Sequence, residues 1–196
     1  MIMANINLKE HTAMFTGGRP KSLYAENPYA SFRINDYERI IQNVLNYIEK
    51  LYIEQHIYRF ISGGAQGFDQ LAFQAVARLK AKYPDVENIV YIPFNNQDSR
   101  WMDKGLFSKT AYRDMLSKAD SVYVCEPNLD TNKVPFNVVT RALMYRNECM
   151  CNDSSICIGQ YPDHSWRSPY TKGGTASCLR YATSLGMKLH INDFRM

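Results

Sequence analysis

Short apolar runs that stop at a glycine turn and give way to a helical pattern recur along this chain, and that alternation leaves few folds open. His11–Thr16 ends at Gly17-Gly18. Ile57–Ser62 ends at Gly63-Gly64 and Gly67, and Leu71, Ala72, Ala75, Val76 and Leu79 follow at helical spacing. Between the two runs, after a loop containing Tyr, Pro and Asn, Asn35 and Glu38 stand in capping-box positions. Ile40, Ile41, Val44, Leu45, Ile48, Leu51 and Tyr52 then repeat with helical period. Apolar strands separated by helices pair in parallel, with helices covering both faces of the sheet.

The pattern continues to the end. Asn88–Ile92 reads as a strand running into Pro93-Phe94 and a polar loop that ends at Trp101. A short helix at Lys109–Lys118 leads to a strand at Ser121–Cys125. Pro135 suits the first turn of a helix whose inner face is marked by Val138, Ala142 and Tyr145, and Ser155–Ile158 reads as a short strand. After about fifteen loop residues rich in Pro, Ser, Tyr and Asp, Gly173-Gly174-Thr175 opens a last helix through Cys178, Leu179, Ala182 and Leu185. That helix stops at Gly186, and Met187–Ile191 closes the set. The expectation is an α/β fold: a single Rossmann-like domain over residues 1–196, with a mostly parallel sheet of about six strands and helices on both faces.

Composition narrows the function classes. With 45% hydrophobic and 21% charged residues the chain has the profile of a globular protein, and 196 residues suffice to bury a core without a disulfide or metal staple. The balance of 23 basic against 19 acidic residues permits an anionic ligand without requiring one, and gives no support to extended duplex binding. Five cysteines, at 125, 149, 151, 157 and 178, cannot all pair and lack zinc-site spacing, which points to a reducing cytoplasm. Cys149 and Cys151 would face different sides of a helix, so no redox role is assigned to them. The polar start MIMANINLKEH has no signal-peptide core, and no stretch approaches the roughly 18 apolar residues of a membrane span. His11, His56, His164 and His190 are scattered, so neither a metal centre nor another cofactor is expected.

In an open parallel sheet the ligand crevice lies outside the carboxyl ends of the strands, and three glycine-rich loops fall there: Thr16-Gly17-Gly18-Arg19-Pro20, Ser62-Gly63-Gly64-Ala65-Gln66-Gly67-Phe68-Asp69 and Lys172-Gly173-Gly174-Thr175. Glycine lets backbone approach a ligand, and helix N-termini offer N–H groups to phosphate. Neither a P-loop ending nor a spaced GxGxxG is present, which disfavours ordinary ATPase and dehydrogenase readings. Arg19 suits a bidentate phosphate contact, or a surface salt bridge. Asp69 is placed to cap the following helix or to accept from a ribose hydroxyl. Trp101, Phe94, Tyr145 and Tyr161 are candidates for stacking on a base, Trp101 first among them because it sits in a polar loop.

FTGGRP, ISGGAQGFDQLAFQAV, IPF with the later Trp101, Ala119-Asp120, Arg146-Asn147 and KGGTASCLRYA, in this order, resemble the SLOG superfamily and within it the YpsA-like branch. The resemblance runs from about Phe15 to Ala182. It implies a Rossmann-like fold that holds nucleotides or nucleotide-derived ligands such as ADP-ribose derivatives or cyclic nucleotides, as a sensor or sequestering module, in bacterial or phage conflict systems. On the family's pattern the ligand contacts include Gly63, Gly64, Gly67, Arg146, Asn147, Gly173, Gly174 and Thr175. Together with Thr16, Gly17, Gly18, Arg19, Pro20, Ser62, Gln66, Asp69, Pro93 and Trp101 they make the candidate site. The LONELY GUY phosphoribohydrolases are relatives, but their catalytic glutamate after the last glycine turn has no counterpart here. An N-glycosidic hydrolase would have to use Asp69, Glu148 or Asp153, and no catalytic residue is assigned. DprA, a single-strand DNA binder, is another relative, and the mild charge makes nucleic acid the weaker expectation. A homodimer or higher oligomer is expected by analogy.

Overall fold

The computed structural model describes residues 7–20, 34–103 and 105–193. Each apolar run becomes a strand: β1 (Thr12–Thr16), β2 (Arg59–Ser62), β3 (Glu87–Ile92), β4 (Ser121–Val124), β5 (Ile156–Gly159) and β6 (Lys188–Ile191). Among the described residues five α-helices lie between them: α1 (Ile34–Gln55), α2 (Phe68–Lys82), α3 (Lys109–Lys118), α4 (Phe136–Asn152) and α5 (Gly174–Ser184).

The six strands form one sheet in the order β4-β3-β2-β1-β5-β6, and every neighbouring pair is parallel. The chain steps outward from β1 through β2 and β3 to β4, then returns to place β5 on the other flank of β1. That reversal makes the carboxyl ends of β1 and β5 the switch point, where a doubly wound sheet opens a crevice. Successive residues of a strand face opposite sides. Ala13 and Phe15, with Phe60 and Ile158, pack under α1 and α2, whereas Met14, Ile61 and Cys157 pack under α4 and α5. Val90 and Ile92 meet Tyr112 and Met115 of α3 in a third cluster. Burying such side chains supplies about 1.5–3 kcal/mol each, and the completely buried β1 is where the layers meet.

Several boundaries move from the sequence expectation. His11 ends a 3-10 turn rather than starting β1, β2 begins at Arg59, β4 stops before Cys125, and β5 is shifted one residue to include Gly159. α1 is already helical at Ile34, so Asn35 falls within its first turn, and the Asn35 side chain and residues 21–33 lie outside the described residues. Pro135 stands one position ahead of α4, as its cap. Val138 and Tyr145 do not form the inner face of α4; they are exposed, and Ala142, Arg146, Met150 and Cys151 are buried instead. The helix carries a second apolar stripe, of which Val139 and Leu143 line the cavity while Met150 packs into the core beneath the sheet. Gly186, at φ +70°, follows α5 as its sequence suggests. Among the described residues no helix is long and apolar enough to cross a membrane.

Candidate functional site

Above the carboxyl ends of β1 to β4 lies a cavity of about 1230 Å³. Its wall contains Thr16, Gly17, Arg19 and Pro20 from the loop after β1, Ala65, Gln66 and Asp69 from the loop after β2, and Gly174 and Thr175 at the start of α5. Loops that stand far apart in the chain thus share one wall. The Thr175 hydroxyl donates to the Gly17 carbonyl at 2.9 Å, the Phe68 N–H donates to the Gly18 carbonyl at 3.1 Å, and the Gly18 N–H donates to Gln160 Oε1 at 3.0 Å. The loop after β1 is the hub to which the other two are tied. Gly173 precedes α5 at φ +123°, and the first turn behind it presents N–H groups with no partner inside the helix, an electropositive end beside Gly17.

The glycines divide into two kinds. Gly17 and Gly174 lie on the cavity wall, although a Cβ on Gly17 would collide with the Phe68 side chain; Gly18, Gly63, Gly64, Gly67 and Gly173 do not lie on it. A Cβ on Gly67, which has φ +103°, would stand 2.5 Å from the Gly18 carbonyl, and one on Gly63 would stand 1.7 Å from Arg146 Nη1. Gly64, at φ +66°, fits against Tyr112, Met115 and Val90. The second glycine turn therefore uses its bareness to admit the protein's own groups. Ser62 is buried in β2, and Pro93 is buried with its carbonyl accepting from the Glu126 N–H at 2.9 Å, so neither reaches the cavity.

Beneath the wall sits a buried ion pair, Arg146 on α4 and Asp69 in the first turn of α2, 3.6 Å apart and each less than a tenth exposed. Arg146 also donates to the Gly63 carbonyl. Asp69 accepts from the Ala65 N–H at 3.3 Å, so it holds the glycine turn rather than capping its helix. Burial pushes the Asp69 carboxyl up to about 6, with Arg146 and the backbone N–H groups acting in the opposite direction. Asn147, next along α4, donates to the Gly174 carbonyl at 3.4 Å and lines the cavity with Trp101 and Phe94.

Tyr145 and Tyr161 stand outside the cavity wall. Glu148 pairs with Arg141 at 2.9 Å, and Asp153 accepts from the Tyr91 hydroxyl at 2.7 Å. Among the described residues Asp69 is the one carboxylate on the wall, against Arg19, Arg100 and Arg146. Among the described residues no three His, Cys, Asp or Glu side chains gather as a metal site would require. Cys151 and Cys178 are buried with sulfurs 3.9 Å apart, and the contact with Cys178, then burial, holds the Cys151 thiol far above its usual range.

Two residues that support the site had no local signal. Gln160, at the end of β5, anchors the Gly18 N–H. Arg180 on α5 donates to the carbonyls of Trp166, Ser168 and Thr171 at 2.8, 2.9 and 3.1 Å, fixing the loop that leads into Gly173. The cavity's apolar lining by Val139, Leu143 and Met144 was legible only as the second stripe of α4.

The profile of the YspA SLOG family matches residues 16–162. The SPbeta prophage-derived protein YoqJ of Bacillus subtilis is 36% identical over 157 residues, covering 77% of this chain and 85% of its own length. A UPF0398 protein of Halalkalibacterium halodurans is 31% identical over 85 residues, covering 40% of this chain and 43% of its own. In fold, the chain is similar to the X-ray structure of DNA processing protein A (DprA) from Streptococcus pneumoniae, with a TM-score of 0.52 at 15% identity. That match covers 94% of this chain and 51% of DprA, so the chain spans about half of DprA's length.

Proposed function

The chain belongs to the YspA SLOG family, and from that premise we propose that it binds a nucleotide-derived small molecule, ADP-ribose-like or a cyclic nucleotide, and senses or sequesters it without turning it over. The observation that carries this reading is the charge and backbone of the cavity wall: among the described residues, three arginines and the N-terminus of α5 against a single carboxylate. A phosphate between Gly17 and Gly174 would meet N–H donors, the Arg19 guanidinium and the Asn147 amide in a low-dielectric recess, where charge-assisted hydrogen bonds are strongest. Hydrolysis of an N-glycosidic bond wants a carboxylate free to take a proton from water. Asp69 is engaged by Ala65 and Arg146 instead, which speaks for binding.

Calorimetry against nucleoside mono- and diphosphates, cyclic nucleotides and ADP-ribose should find a ligand that mass spectrometry recovers intact. Gly174 has no positive φ, and a Cβ there meets Met144 at 3.4 Å and Asn147 at 4.0 Å. Gly174→Glu therefore sets bulk and negative charge at the mouth and should abolish binding while the protein stays folded. Unchanged affinity in that variant, or turnover of the ligand, would refute the proposal.

A further inference from the structure

The cavity is lopsided about the switch point. Beyond the glycine loops its described wall is drawn from Tyr37 of α1, from residues 94–103 and 105–107, between β3 and α3, and from Thr131 to Asn147 around α4; residues 148–173 and 176–193 contribute nothing. The flank above β5 and β6 is closed by the chain itself. Gln160 Oε1 is taken by the Gly18 N–H, the Tyr161 N–H donates to Asn192 Oδ1 at 3.2 Å, the Asn192 amide donates back to the Tyr161 carbonyl, and Trp166 is buried behind them.

The open flank has a definite chemistry. Phe94 and Phe107 are buried walls, and Phe107 meets Tyr37 edge-on at 5.2 Å. Trp101 is held against Tyr112 with ring centroids 4.9 Å apart, so the indole has a set orientation. Polar side chains stand among these rings: Gln97, whose Oε1 has no hydrogen-bond partner among the described residues, with Ser99 and Thr131. Gln66 ties the flank to the glycine loops, its amide donating to the Phe107 carbonyl at 2.8 Å. Apolar walls with scattered polar groups match a flat heterocycle, apolar on its faces and polar at its edge; an acyl chain would leave those polar groups unpaired.

Resting on the anion reading above, we propose that residues 94–103 and 105–107 form a base-holding wing, with Trp101 as its stacking platform, and that the ligand carries one nucleobase on this flank rather than two astride the switch point. The phosphate lies on the glycine loops and the base points away from β5.

Trp101 and Trp166 are the only tryptophans, so Trp166→Phe makes Trp101 the sole indole reporter. Adenosine 5′-monophosphate, ADP-ribose, ribose 5-phosphate and NAD⁺ are titrated by fluorescence and calorimetry. The first two should quench Trp101 saturably, ribose 5-phosphate should bind roughly tenfold more weakly or worse and leave the emission unchanged, and NAD⁺, despite its second ring, should bind no better than ADP-ribose. Trp101→Phe in the otherwise native chain should remove the quench, and Trp101→Ala should weaken the adenine ligands without moving ribose 5-phosphate. Equal affinity for ribose 5-phosphate and the adenine ligands, or a clear gain for NAD⁺, overturns the wing and leaves the anion site standing. Binding of none of the four, nor of cyclic AMP or cyclic GMP titrated alongside them, overturns both.

Discussion

The Asp69–Arg146 pair makes a quantitative test of how the cavity floor is held together. The Asp69 carboxyl ionises near 3.8 in an open chain and near 6 in the folded protein, burial outweighing Arg146 and the Ala65 N–H. A gap of about two units corresponds to about 3 kcal/mol of preference for the neutral form. Because the folded state holds the proton more tightly than the unfolded state, this contribution is fully present below pH 3.8 and is lost as pH rises through 6. Most of it, about 2 kcal/mol, should disappear between pH 4 and pH 7. Asp69→Asn keeps the shape and an oxygen to accept from Ala65 but has no proton to lose. Thermal unfolding of both proteins from pH 4 to pH 8 should show the variant gaining on wild type by roughly 4–8 °C across that range, at the few degrees per kcal/mol expected for a chain of this size. A difference that stays flat with pH, or one that grows in favour of wild type as pH rises, would mean that Arg146 more than compensates the buried carboxylate, and the reasoning would fail.

Other variants probe the joints of the site. Gly67→Ala forces a Cβ onto the Gly18 carbonyl at a positive φ; a loss of about 2 kcal/mol or more in urea unfolding is expected, together with weakened ligand binding, because the loop after β1 must move. Thr175→Val removes the hydroxyl that donates to Gly17 and should cost about 1 kcal/mol in denaturant unfolding, with a loss of affinity larger than the same loss from Thr183→Val on the far end of α5. Arg180→Met frees three carbonyls of the loop before Gly173. Limited proteolysis should then cut faster between residues 160 and 173, while Arg180→Lys should restore only part of the protection because a single ammonium cannot reproduce the planar fork.

Most of the element pattern was readable before any fold was known, because strand and helix signals are local. Ile40 through Tyr52 repeat with period 3.6 whatever lies opposite them, and α1 forms there. α4 shows where local reading fails. Two apolar stripes run along it, and only the sheet and cavity decide that Val139, Leu143 and Arg146 face inward while Val138 and Tyr145 face out. The glycines teach the same lesson. A glycine announces that something comes close or that φ is positive, but not what comes close. At Gly17 it is Phe68, at Gly63 it is Arg146, at Gly64 it is Tyr112 and at Gly67 it is the backbone of the first glycine loop, and of the eight predicted glycine and serine positions of the three loops only Gly17 and Gly174 lie on the cavity wall.

From the order of its residues this chain is committed to alternating strands and helices, to glycine turns at the strand ends and to the motif series of its family, since each depends on neighbours within a few residues. Strand order was settled by the folded molecule alone. Placing β5 beside β1 brings Gln160 to Gly18 across 142 residues of sequence, and the same return sets Thr175 against Gly17 and Arg146 beside Asp69. Which flank of the switch point closes and which stays open follows from those distant hydrogen bonds and buried contacts, whose energy exists only once the whole sheet has assembled.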